Sequence, residues 1–162
     1  MSTAPPPVDT RAGFQQALRW GLAAAIGRGA RRIVCSDPDF AAWPLDDAAL
    51  HEQLMAWLRL PQRRLVLFAA SYDAMPRLHP RFVTWRTPWI HAVEAWAPAE
   101  GDAAEVPRVL VDDGDVFVHL RDAENWLGRA GRDAAQAQRW RDVLDARIAG
   151  AESSFAPRPL GL

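Results

Sequence analysis

The chain has 162 residues, 49% of them hydrophobic, and a formal net charge of −1; this is one domain's length, and the near-neutral balance gives no bulk electrostatic reason to expect nucleic acid or anionic lipid as a partner. All 19 basic residues are arginine, which rules out a Schiff-base lysine, a P-loop lysine and a lysine general base, because arginine clamps anions but does not take up protons at working pH. The lone cysteine, Cys35, leaves no internal disulfide and no cysteine-based zinc site.

Residues 1–9, with Pro5-Pro6-Pro7, read as a disordered tail without the charged-then-apolar pattern of a secretion signal. The nearby apolar run GLAAAIG is too short to span a bilayer, so the expectation is a cytoplasmic protein with no membrane insertion. Asp9 or Thr10 caps a helix running to about Gly27, its buried stripe being Phe14, Leu18, Leu22, Ala25 and Ile26. Gly27 and Gly29 close this helix, so their spacing does not make a pyrophosphate loop, whose glycines must open one.

Arg32 to Cys35 is a short strand, and a loop with Phe40 and Trp43 follows the turn-prone SDPD. Asp46 or Asp47 caps a second helix to about Leu60, and Pro61 stops it. Arg64 to Ala70 is apolar almost throughout, as a strand covered on both faces is. Strand, helix and strand make a right-handed βαβ unit. Residues 71–87 form short helical pieces broken by Pro76 and Pro80, with Ser71 as a cap. Ile90 to Ala97 is a strand, and residues 98–107 an acidic loop.

Arg108 to Leu120 is the surest local element: two β-rich runs around Asp113-Gly114, a dipeptide suited to a type I′ hairpin turn. Arg121 to Gly131 reads as irregular and anchored by Trp126. A long helix from about Asp133 to Ser153 buries Trp140, Val143, Leu144, the stem of Arg147, Ile148 and Ala151, and residues 156–162 form a tail. The expected fold is α/β over residues 10–155: a single mixed β-sheet with helices on both faces.

From Arg31 to Phe155 the chain resembles an uncharacterised proteobacterial family with a phospholipase D-like fold. The residues that carry the resemblance are Asp39-Phe40 with Trp43, RRLVLFAA followed by Tyr72-Asp73, His79-Pro80-Arg81-Phe82, VDDGDVFVH, then Trp126 and Gly128 before the last helix. Active relatives of that fold carry His-x-Lys-x4-Asp at the hairpin. Registering Asp113 on that aspartate puts Val106 at the nucleophile and Arg108 at the lysine. The resemblance therefore implies a phospholipase D-like half without the family's catalytic groups, and fold alone does not carry function across that gap. It also makes a homodimer the expected assembly, since enzymes of this fold pair two halves across the hairpin face.

The candidate ligand-binding residues are His79, Arg81, His91, Arg108 and Asp113, with Tyr72 and Asp73. Most flank the apolar strand and the segment after it, and open α/β sheets place ligands at strand C-termini. Arg81 is suited to hold a phosphate or carboxylate in bidentate fashion, with His79 or His91 as proton donor. Asp112, Asp113 and Asp115 crowd one turn, but their spacing is not that of a calcium loop, and no metal or other cofactor is expected. Cys35 is a buried residue rather than a nucleophile. Trp85, Trp89 and Trp96 are chiefly core, with Trp89 the best surface candidate.

The expected function is non-catalytic binding of a small phosphate- or carboxylate-bearing ligand or a protein partner. The alternative is a hydrolase using His79 or His91 with Asp73. Peripheral membrane binding through arginines is disfavoured for want of a basic amphipathic helix.

Overall fold

The computed structural model describes residues 4–155. The expected segments 1–9 and 156–162 lie wholly or partly outside that range. Val8, within the first of them, is buried, and its carbonyl accepts a hydrogen bond from Gly128 N at 3.0 Å.

The first helix, α1, is Arg11–Gly27, and Thr10 caps it through a hydrogen bond from Gly13 N. Strand β1 is Arg32–Ser36 and helix α2 is Ala48–Leu58, capped by Asp47. Strand β2 is Arg64–Phe68. Two short helices follow, α3 at Met75–Leu78 and α4 at Pro80–Arg86. Pro80 sits where its missing N–H costs nothing. The next two amides of α4, Arg81 N and Phe82 N, donate to Asp46 Oδ1, at 2.7 and 3.3 Å. Asp46 thus caps α4 from a distant loop, while its neighbour Asp47 caps α2. Ser71 is not a helix cap: its hydroxyl accepts from Asp73 N in the turn before α3.

Strand β3 is Val93–Ala97, β4 is Arg108–Asp112, β5 is Val116–Asp122 and β6 is Leu127–Arg132. Helix α5 is Ala134–Ala149 and β7 is Glu152–Ser153. The strands form one mixed sheet in the order β6-β5-β4-β1-β2-β3-β7. β1, β2 and β3 run parallel, and the other neighbours pair antiparallel.

Side chains alternate across the sheet, as a pleat of period two requires. Ile33, Cys35, Leu65, Leu67 and Leu110 face α1, α2 and α4. Val34, Val66, Val109, Val111 and Phe117 face α5. Phe14, Leu18 and Leu22 of α1 are each 2% exposed or less, and burying each stabilises by roughly 1.5–3 kcal/mol. α1 packs tightly on the sheet at Gly21, where an added Cβ would lie 3.0 Å from Val118 and 3.1 Å from Leu110.

Three expectations are corrected. First, the hairpin turn is not type I′. Val111 pairs with Phe117, so residues 113–115 form the loop, and among the described residues neither Asp113 nor Gly114 has a positive φ. The Asp112 side chain organises the turn instead, accepting Gly114 N at 2.8 Å and Val116 N at 3.1 Å. A short polar side chain that bonds nearby amides competes with the backbone's own turn geometry. Asp112 and Asp115 pair with Arg28 and Arg132 respectively.

Second, residues 127–132 are not irregular but form the edge strand β6, entered through Trp126 at φ 59°. Third, the last helix stops at Ala149 and the chain turns back to add β7 to β3. Val143 is 41% exposed, while Ala137 and Leu144 are the residues α5 buries fully. Trp140, Ile148 and Ala151 pack partly buried against the same face.

Candidate ligand cleft at the end of the first strand

The parallel strand β1 ends at Ser36, and its antiparallel neighbour β4 begins at Arg108. The loop after β1 is folded around Asp37, whose carboxylate is 4% exposed. Its Oδ2 accepts Asp39 N at 3.1 Å and Phe40 N at 2.7 Å, and its Oδ1 accepts the Trp43 indole N–H at 3.0 Å. This clamp holds Phe40 at φ 60°, a left-handed conformation that a side chain of this size rarely adopts. Burial raises the Asp37 pKa above the ordinary carboxylate value, against the hydrogen bonds and Arg108, which favour the ionised form.

Arg108 lies beside this loop. Its Nε is 3.9 Å from Asp37 Oδ1, and its Nη1 donates to Glu105 at 3.2 Å. The Glu105 side chain is 79% exposed, so that pair contributes little. The Trp126 ring centre lies 6.2 Å from that of Phe14, and the Arg11 guanidinium lies 5.5 Å from the Trp126 ring. A cleft of about 170 Å³ is lined by Arg11, Phe14, Asp37, Asp39, Arg108 and Trp126 among others. It offers guanidinium donors, carboxylate acceptors and one aromatic wall. That mixture suits a small polar molecule with an acidic group.

Of the candidate ligand-binding residues, only Arg108 lines this cleft. His79 lies close behind it, buried, with Nε2 2.8 Å from the Phe40 carbonyl, and so supports the same loop. Arg81 has an exposed side chain, and its backbone is tied to Asp46. Tyr72 is buried and donates its hydroxyl to the Trp96 carbonyl at 2.7 Å; burial raises its pKa. Asp73 is exposed beside it. His91 stands before β3, at the opposite end of the sheet from Tyr72, its carbonyl accepting from Arg64. Asp113 is at the far end of β4 from Arg108, about 17 Å along the strand at ~3.4 Å per residue, where it pairs with Arg28. The predicted set therefore does not converge.

The sequence reading missed Asp37 and Arg11. The signal for Asp37 was present, an aspartate directly after a strand and before a loop that needs its amides held. Trp89 is partly buried against the main core rather than free. Cys35 is fully buried, and burial raises its pKa. Among the described residues no group of His, Cys, Asp and Glu is arranged to hold a metal ion, and no helix is long and apolar enough to cross a membrane.

No protein-family model matches the chain, and no curated protein does. Among solved structures the chain is similar to TrmBL2, described as an archaeal chromatin protein that shows a novel mode of DNA binding. The TM-score is 0.53 at 14% identity, over 85% of this chain and 51% of that one. This chain thus spans about half the length of that protein, and the likeness is one of fold. It corrects the expectation that nucleic acid is no partner. A protein sharing this fold is described as binding DNA, so a net charge of −1 is no ground for the exclusion.

Proposed function

We propose that the chain is a non-catalytic, phospholipase D-like domain that binds an acidic small ligand, phosphate- or carboxylate-bearing, in the cleft between Arg108 and Trp126. The observation that carries the reading is the pairing of Arg108 with a pre-formed loop. Asp37 is already held by three neutral donors, so the Arg108 fork keeps donors for a ligand. Arg11 and the Trp126 face supply a second cation and a flat surface.

The non-catalytic part is supported by Val106. It stands on the nucleophile's register in the phospholipase D-like resemblance, and it is 2% exposed in the core facing α5. A buried valine performs no displacement. His79 donates nothing to the cleft, being engaged with the Phe40 carbonyl. A single mixed sheet with helices on both faces agrees with the resemblance. A cytoplasmic setting belongs to the same reading, since the one cysteine is buried and unpaired.

A second reading is favoured by the likeness to a DNA-binding chromatin protein. In it the phosphate held by Arg108 and Arg11 belongs to a nucleic-acid backbone. Isothermal titration calorimetry separates the two. Inorganic phosphate, a nucleoside monophosphate and a dicarboxylate form one arm, and a DNA duplex over a range of salt the other. The small-ligand reading predicts saturable heats with a small anion, weakened about tenfold or more by Arg108→Ala. Heats with duplex alone, falling steeply with salt, would replace it with the second reading. No heats in either arm would remove both.

A further inference from the structure

We propose that Arg86 is the binding group of a separate anion site, which takes a carboxylate or phosphate oxygen of a small ligand beneath residues 152–155. It lies at the β3–β7 edge of the sheet and does not depend on the Arg108 cleft.

Arg86 ends α4 and is 4% exposed. Its Nη1 donates to the Phe155 carbonyl, and its guanidinium lies 4.3 Å from the centre of the Phe155 ring. Among the described residues it has no carboxylate within ion-pair distance, and its Nε is buried with no acceptor. A buried cation without a counter-charge is destabilising, because its lost hydration is not replaced. The aromatic ring offsets only part of that cost. The deficit is what a bound oxyanion would remove. Burial lowers the Arg86 pKa from its ordinary value, as the same deficit requires.

Space for the ligand adjoins the guanidinium. A cavity of about 270 Å³ is lined by Arg86, Ile90, Glu94, Trp96, Ser153 and Ser154. Glu94, its one acidic residue, is already engaged, accepting Arg64 at 3.3 Å and the Trp96 indole N–H at 3.1 Å. Arg86 therefore remains the uncompensated charge of the cavity. Ser153 and Ser154 place hydroxyl-bearing residues at its rim.

The roof is short. β7 pairs with β3 only at Trp96↔Ser153 and Ala97↔Glu152, with one more bond from Ser154 N to the Ala95 carbonyl at 3.0 Å. Phe155 then turns inward at φ 53° and stacks on Tyr72, with ring centres 5.0 Å apart and planes 4° from parallel. An oxyanion in the cavity leaves the Nη1 bond to Phe155 in place, so ligand and roof hold the same guanidinium.

The test is an NMR titration of the arginine Nε–H groups of the full chain with inorganic phosphate and, separately, acetate. The expected result is a saturable shift of the Arg86 Nε–H signal, with slower hydrogen exchange at saturation. Thermal unfolding is the second measurement. Phosphate or acetate should raise the midpoint of the wild type, and this rise should be largely lost in Arg86→Met, whose side chain fills the same space without charge. If Arg86→Met fails to fold, the wild-type titration decides alone. An Arg86 signal that moves no more than that of exposed Arg59 overturns the proposal. So does an unchanged rise in midpoint in Arg86→Met. Shifts confined to Arg108 and Arg11 also overturn it, while leaving the cleft reading standing.

Discussion

The Nε of Arg108 stands 3.9 Å from Oδ1 of Asp37, too far for a hydrogen bond and near enough to feel its charge. The two residues are far apart in sequence and meet because β4 pairs antiparallel with β1. Asp37 shapes the loop and Arg108 faces the cleft, so structure and binding are separable by substitution.

Asp37→Ala should destabilise the fold by about 3 kcal/mol, because it strands the buried donors of Phe40 and Trp43 as well as Asp39 N. Arg108→Ala should change stability far less, since its partners are long or exposed. Urea unfolding of the two variants gives the comparison.

The pH dependence at Asp37 has a definite sign. Burial raises its folded-state pKa above that of the unfolded chain. The folded chain therefore takes up this proton first, and the contribution of Asp37 is full at acid pH and falls as pH rises through the folded value. Carboxyl-carbon NMR should place its titration midpoint above 3.8, the ordinary value. A midpoint below it would show that the hydrogen bonds outweigh burial.

His119 has the opposite sign. Burial lowers its pKa below the ordinary 6.5, with Arg121 acting in the same direction, and its ring lies 4.4 Å from that of Trp140. A depressed value means that stability is lost as pH falls below 6.5 and through the folded pKa, when the ring must charge in place. His119→Gln should flatten stability over that range, as measured by unfolding midpoints across pH.

At the far end of β4, Gly114 lies directly under the guanidinium of Arg28, which pairs with Asp112 and Asp113. Gly114→Ala should displace the Arg28 guanidinium from Asp112 and Asp113 and cost about 1 kcal/mol. In an Arg28→Ala background the same substitution should cost much less, because the atoms it meets are gone. A double-mutant cycle measures this coupling, and equal costs in both backgrounds would refute the contact.

Cys35 lies in the centre of the sheet and is 2% exposed. A thiol reagent should react with the native chain only at the rate of unfolding, and stoichiometrically in denaturant. Fast native labelling would contradict its place in the core.

Much of this fold was legible because it is local. The stripe of Phe14, Leu18 and Leu22 with the Thr10 cap specifies α1, and the continuous apolar run from Leu65 specifies a buried strand. β6 was not legible. Its sequence, LGRAGR, lacks strand-forming residues, and it is a strand because β5 offers it a partner. The sequence encodes the hairpin legibly but not its turn, since the Asp112 side chain, rather than a glycine conformation, sets the geometry. The cleft needs Arg11 beside Trp126 and Asp37 beside Arg108, and no periodicity encodes such pairings. His79, Arg81 and His91 looked like a cluster because they are near in sequence, whereas α4 and β3 carry them apart.

The role proposed for this cleft is to bind an acidic ligand without cleaving it. Methyl 4-nitrophenyl phosphate, a phosphodiester with an aromatic group and a chromogenic leaving group, tests both halves in one NMR tube. Binding without cleavage gives a saturable shift of the Trp126 indole N–H, lost in Arg108→Ala, with no release of 4-nitrophenol. Release of 4-nitrophenol by wild type, or a Trp126 signal indifferent to the ligand, would contradict it.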